Sequence, residues 1–420
     1  MIDAKEAAHL TIGLPGTLRR TSRLALRPLS FVSQGEETLV GDPQSGVFLA
    51  IPDVGVMTVR ALADGATIAQ ATEEASRHAG QEVDVLAFVE VLVESGFVVT
   101  IDGRELAPAA DSGKASWLYG VSPKLARPFF GAAAWVLYGL LFTSCVGLLL
   151  LHPDSRPSFE SLFFYPDPAV CMVTITVLGI FLAACHETFH YLAARAAGVG
   201  ARVQIARRLF VPVFETNLTQ LWSVPKHSRY SPFLAGMAFD SVVLAACLWL
   251  RFASASGLVN LSPLLVRALG AVVLMQVLGL VWQTLVFLRT DLYAVLITAL
   301  GCFNLSRVTG LWLRRGLWHL RPGEAAELEE AHRRDRQVAP WFAALSMAGV
   351  AMMALLFARF FFPATVVMAG WMFASLGSTS PGSKPFWEAF AIGSVSALQA
   401  LAPLAIAARQ LAKKGRRGGS

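Results

Sequence analysis

Hydrophobic and polar positions divide this chain unevenly. Up to residue 125 charged residues interrupt the apolar ones every few positions; from Pro128 onward, apolar runs long enough to cross a bilayer follow one another. In the first part, "SFVSQGEETLVGDPQSGVFLAI" predicts two strands around a turn supplied by "GDPQSG". "PDVGVMTVRALADG" predicts a helix ended by glycine, and "TIAQATEEASRHAG" a second with Thr67 as its N-cap. In "EVDVLAFVEVLVESGFVVT" the apolar residues recur at helical spacing, which predicts a third helix before the short strand "FVVTIDG". Two strands, three helices and a wing give residues 24–103 the order of an α+β winged-helix domain. Residues 1–23 form an N-terminal extension, and 104–127 a polar linker in which "SPKLARP" is the basic approach to the membrane.

The second part predicts spans at 128–151, 168–193, 233–254, 264–289, 341–362 and 386–409, about six crossings of a core roughly 30 Å thick. "PATVVMAGWMFASLGS", residues 363–378, is too short to cross comfortably and is expected to be interfacial or re-entrant. The fold class is therefore an α-helical polytopic membrane protein with a small α+β domain in front.

Composition agrees. The 420 residues are 55% hydrophobic and 15% charged, against about 25% charged in a soluble domain. Lys and Arg gather in 194–232, in 303–340 and in the tail "RQLAKKGRRGGS", whereas 152–167, 255–263 and 363–385 hold only Arg156 and Lys384. The positive-inside rule then puts both termini in the cytoplasm. The start "MIDAKEAAHLTIGLPGTLRR" lacks an apolar stretch, so no signal peptide is expected. The net charge of +6 belongs to membrane orientation and does not imply nucleic acid, because the third helix carries Glu82, Asp84, Glu90 and Glu94 and neither Lys nor Arg. Five cysteines without a CxxC pair read as small buried hydrophobes. In the amphipathic stretch 307–337, Trp312 and Trp318 suit the headgroup layer, and "EAAELEEAHRRDRQ" suits a solvated helix.

Chemistry enters inside the second span, at "HETFH". On a helix His186 and His190 are four apart and share one face, so both imidazoles can reach a single Zn²⁺. Glu187 then sits beside the metal, placed to take a proton from water whose pKa zinc lowers to about 7. An ionisable residue within a span costs a few kcal/mol, which makes function the default reading. A catalytic zinc needs a third protein ligand. Asp291, in "VFLRTDLYAVL", falls toward the same cytoplasmic side as His186; Asp240, in "LAGMAFDSVV", is the rival. Between the spans, "ARVQIARRLFVPVFETNLTQLWSVPKHSRYSP" is too polar to cross and rich in strand formers. There Asn217 and Thr219 could hydrogen-bond a substrate's backbone, while Trp222 suits an interfacial anchor.

HExxH within a span, with an aspartate far downstream, resembles the site-2 protease family of intramembrane zinc metalloproteases over residues 170–305. "FLRTDLYAVLITALGCFNL" is similar to the "FLRxDGYY…L…NL" stretch of its branch that accompanies peptide natural-product clusters. The resemblance implies Zn²⁺ held by His186, His190 and Asp291, with Glu187 as the base and a membrane core over 128–305. The chain departs from the family at Leu292, where glycine is usual, and in "GMAFD", where the family has "GPxxN". Asp240 takes the asparagine position and is expected to touch substrate or metal. Residues 24–103 resemble the PqqD-like domains that recognise leaders of ribosomally made precursor peptides, carried by "GVFLAIPDVGVMTVRAL", "GATIAQATEEAS" and "VLAFVEVLVESGFV". The implied function is cleavage of a precursor peptide at a bacterial inner membrane, with peptide and lipid bilayer as partners and no nucleic acid. The alternatives are regulated cleavage of a membrane-anchored regulator and a non-catalytic peptide-binding chaperone or exporter partner.

Overall fold

Each element of the first part forms where local chemistry and apolar spacing agree. The computed structural model describes residues 18–34, 37–43, 45–106, 120–208, 211–317, 319–397 and 401. Trp318, the basic tail and the end of the predicted last span lie outside the described residues. Strands β1 (Leu24–Leu26), β2 (Ser30–Gln34), β3 (Glu37–Asp42) and β4 (Val47–Pro52) come first. Helices α1 (Asp53–Ala63), α2 (Ile68–Ala79) and α3 (Val85–Glu94) follow, then β5 (Val98–Ile101) and β6 (Arg104–Glu105). The stretch expected to hold two strands holds three, β2, β3 and β4, which pair in sequence as an antiparallel meander. A second sheet orders β1, β5 and β6, all antiparallel.

Thr67 caps α2 in a full capping box with Gln70, and Gly80 ends that helix in the left-handed conformation. Asp84 caps α3 by accepting from the Ala87 N–H at 3.1 Å. The three helices close over the sheets around Val40, Ile51, Val59, Leu62, Ile68, Val89, Leu92 and Phe97.

In the second half, α4 (Pro123–Ala126) leads into α5 (Ala132–Leu151) and α6 (Pro168–Ala196). The ribbon of β7 (Arg202–Arg208) and β8 (Val211–Asn217) is followed by a 3-10 turn, Thr219–Ser223. Then come α7 (Lys226–Ala255), α8 (Pro263–Gln283), α9 (Asp291–Leu300), α10 (Leu305–Leu317) and α11 (Pro322–Glu330). Helices α12 (Arg333–Leu356) and α13 (Phe362–Ser378) and a last helix over 384–397 complete the described chain. Among the described residues five helices are long and apolar enough to cross a membrane, or six if the bent pair α9–α10 is one span.

Helix α7 is the centre of the bundle. Half of its apolar window is buried, against 17% for α5 and α6, whose outer faces are left for lipid. Cys145 and Leu148 of α5 meet Leu244, Ala245 and Leu248 of α7 and Val273 and Leu280 of α8.

Three differences from the sequence reading have physical causes. Residues 363–378 continue the preceding helix, in one run Arg333–Ser378. A π-turn at Phe357–Phe361 widens the backbone just before Pro363, which relieves the clash of the proline ring with the preceding turn. The fourth span ends at Gln283, and Arg289, at φ 59°, turns the chain so that Asp291 starts a separate helix. Helices α9 and α10 bend by 86°. Finally, Asp335 of the charged stretch is buried, not solvated. Its carboxylate accepts from the main-chain N–H of Phe303 and Asn304 at 3.1–3.3 Å, which fixes that bend.

The N-terminal domain sits directly on the segment after β8. A Cβ at Gly46, whose φ is +75°, would lie 2.7 Å from Thr219 Oγ1. Glu37 pairs with His332 at 3.3 Å, and the Gln34 amide oxygen, oriented by its donors, accepts from both Nη atoms of Arg229. Arg229 is 1% exposed and also donates to Val224 and Trp222 carbonyls at 2.9 and 3.2 Å. Its guanidinium lies over the Trp222 ring, which is partly buried and packs against Val286, Ile297 and Phe342.

Asp102, at the β5–β6 turn, ties that ribbon to the chain before β1. The Arg23 N–H and the Ser22 hydroxyl both donate to its carboxylate at 2.8 Å, the former contributing most, and together they hold it below the usual carboxylate range. A lowered folded-state value contributes stability above about pH 4 and loses it as pH falls further. Asp102→Asn is therefore expected to melt below wild type at pH 7, with the gap closing between about pH 4 and pH 2. Paired thermal melts across that range check it.

Candidate metal centre

Helix α6 brings the histidines together in its C-terminal half, since positions 186 and 190 stack one turn apart. Their rings stand 4.8 Å apart, centroid to centroid. Close approach of α7 presses them together, and this approach requires Gly236: a Cβ there would lie 2.2 Å from His186 Nε2 and 2.5 Å from His190 Nε2. Asp291, the first residue of α9, reaches in from the third side. Gln283 aims it, accepting from the Asp291 N–H at 3.0 Å through its side chain and from the Thr290 hydroxyl at 2.7 Å through its carbonyl.

The resulting triangle is tight. His186 Nε2 and His190 Nε2 are 3.1 Å apart, and Asp291 Oδ2 lies 3.2 and 3.1 Å from them. The outer ring nitrogens determine which protons are where. His190 Nδ1 is 2.7 Å from the Pro232 carbonyl, an acceptor, so Nδ1 carries the hydrogen. His186 Nδ1 is 2.8 Å from Asp240 Oδ2, also an acceptor. In the neutral rings both Nε2 atoms therefore present lone pairs to each other and to a carboxylate oxygen. Three electron-pair donors at such separations repel unless a cation, a proton or a metal ion, sits among them. The spacing suits a metal: ligand atoms about 2.0–2.1 Å from a tetrahedral ion are roughly 3.3 Å apart. The donor set of two imidazoles and one carboxylate suits a divalent transition ion.

Asp240 has a different place from the one expected. It is 7% exposed, and Gln276 Nε2 donates to its carbonyl and to Oδ1, each at 3.3 Å, while Oδ2 faces His186. A carboxylate behind a ligand imidazole fixes its tautomer and orientation. Neither rival role, third ligand or substrate contact, describes this placement.

Glu187 lies on the same turn, its ligand atom within 4.8 Å of those of both histidines. Its Oε2 accepts from the Thr216 N–H at 2.8 Å, and its main-chain carbonyl accepts from the Thr216 hydroxyl at 2.9 Å. No residue reading had pointed to Thr216; the only signal was its neighbourhood in a strand-forming loop. Asn217 and Thr219 are spent on each other. Asn217 Oδ1 accepts from the Thr219 N–H at 3.0 Å and from its hydroxyl, an Asx turn that ends β8. His186, His190 and Asp291 thus converge with Glu187 beside them, Asp240 stands behind His186, and Asn217 and Thr219 bond to each other.

Two substitutions test the centre. Gly236→Ala is expected to drive the imidazoles apart and cut bound divalent metal to about a tenth or less, with the helical content retained. Asp240→Asn leaves the triangle and should weaken metal affinity about 10–100-fold. Metal analysis and competition with a chelator read both. No family model, no curated protein and no solved structure matches this chain.

Proposed function

We propose that this chain is an intramembrane zinc metalloprotease that matures a ribosomally made precursor peptide. One observation carries the reading: two imidazoles on a helix apolar enough to cross a bilayer meet the carboxylate oxygen of Asp291 within 3.2 Å, beside a second carboxylate. Ionisable groups in such helices are retained for chemistry or transport, and a triangle of lone pairs serves no packing purpose.

His186, His190 and Asp291 would hold Zn²⁺, with Asp240 and the Pro232 carbonyl orienting the rings. Zinc there would polarise the scissile carbonyl and make water acidic enough to be deprotonated near neutral pH. Glu187 takes one proton from the attacking water as its oxygen bonds to the carbonyl carbon. It then delivers that proton to the nitrogen as the C–N bond breaks, leaving a carboxylic acid and an amine. The β7–β8 ribbon lies against the same turn of α6, where an extended peptide has a strand edge to follow.

The N-terminal domain recruits the substrate in this reading. Its helix order and meander support the PqqD-like resemblance, and its seat against Thr219 and Arg229 holds a captured peptide close to the centre. The Lys and Arg distribution supports cytoplasmic termini, and the family resemblance supports a bacterial inner membrane.

The test is Glu187→Gln with a leader-bearing precursor peptide expressed alongside. Cleavage is expected to fall about 10²–10⁴-fold while metal content stays at the wild-type level. Equal maturation by wild type and the Gln variant rules out hydrolysis here and leaves a peptide-binding role.

A further inference from the structure

One residue joins the ribbon to the helix at the base. Thr216 faces Val203 across β7–β8, one position before the strand ends. In an antiparallel pair, N–H and C=O groups point into the ladder at alternate residues. Because the Thr216 N–H reaches Glu187 at 2.8 Å, it points away from β7, on the outer edge of β8. The Thr216 hydroxyl, on a residue 9% exposed, donates at 2.9 Å to the carbonyl of the same glutamate. Two bonds from one residue to one residue close a ring. The side-chain bond registers the strand on the helix; the main-chain bond then selects one orientation of the carboxylate, leaving Oε1 without a protein partner among the described residues.

We infer that Thr216 is the positioning residue for Glu187. Its amide aims the carboxylate, and its hydroxyl keeps the strand at the height where that amide can do so. The inference rests on the proteolytic reading. Loss of the hydroxyl should let β8 slide relative to α6 and free the carboxylate to rotate, with no effect on His186, His190 or Asp291. A structural tie alone predicts something else: lower stability or substrate affinity, independent of Glu187.

The experiment uses the full chain in detergent micelles, with fluorescently labelled β-casein as an unstructured substrate. Variants are Thr216→Val, Thr216→Ser, Glu187→Gln and the Glu187→Gln/Thr216→Val double variant. Thr216→Val is expected to lower kcat about tenfold or more, with KM within about twofold of wild type, and Thr216→Ser to restore most of the loss. Zinc stoichiometry and the absorption spectrum of the cobalt-substituted protein should match wild type in Thr216→Val. In the Glu187→Gln background the second substitution should cost nothing further, because Thr216 acts only through that carboxylate. A wild-type kcat in Thr216→Val, an additive loss in the double variant, or a changed cobalt spectrum overturns the inference while leaving Glu187 as the base. Equal turnover, or equal absence of turnover, in wild type and Glu187→Gln overturns the proteolytic reading and this inference with it.

Discussion

Three lone-pair donors held within 3.2 Å of each other are a repulsive arrangement, and the rest of the membrane half is organised to impose it. In a low-dielectric bundle such a cluster is not screened by water, so its cost is met only by a shared cation. Each donor is therefore locked from behind. The Pro232 carbonyl and Asp240 set the two ring tautomers, Gln276 holds Asp240, and Gln283 aims Asp291. Gly236 removes the one side chain that would separate the rings. The most buried of the candidate spans, α7, supplies three of these supports, which explains why it stands at the centre while α5 and α6 keep lipid-facing sides.

A second layer of constraint comes from the N-terminal domain and the segment after β8. The segment Thr216–Thr219 touches Glu187 at one end and the N-terminal domain at the other, with an Asx turn between. Arg229 gathers carbonyls from the loop, the Trp222 ring and the Gln34 amide into one buried node. A guanidinium this buried is tolerable because its donors and its face all find partners. Domain and membrane core are thus joined through hydrogen bonds close to the site.

Part of this was legible along the chain. His186 and His190 share a face because a helix repeats every 3.6 residues, and Glu187 follows from its place beside them. The capping box at Thr67, the three helices of the N-terminal domain and the apolar helices follow from local rules of the same kind. Asp291 could be proposed from membrane depth, with Asp240 as its rival. Choosing between them needed the bend at Arg289, a left-handed residue in an arginine that no propensity announces. Asp335 looked solvated among charged neighbours, yet it is buried, accepting from the main-chain N–H groups of Phe303 and Asn304, 32 and 31 positions away in sequence.

The sequence by itself determined what short-range periodicity encodes: which segments are helical, which are apolar enough for lipid, and which ionisable groups lie on one helical face. Tertiary structure alone decided which of two aspartates meets the imidazoles, which stands behind one of them, and that Thr216 and not Asn217 or Thr219 grips Glu187. Those assignments depend on contacts across 29 to 105 positions of chain. Such contacts form through packing of whole helices, where displacement by one residue turns a side chain about 100° away, and no local pattern carries that information.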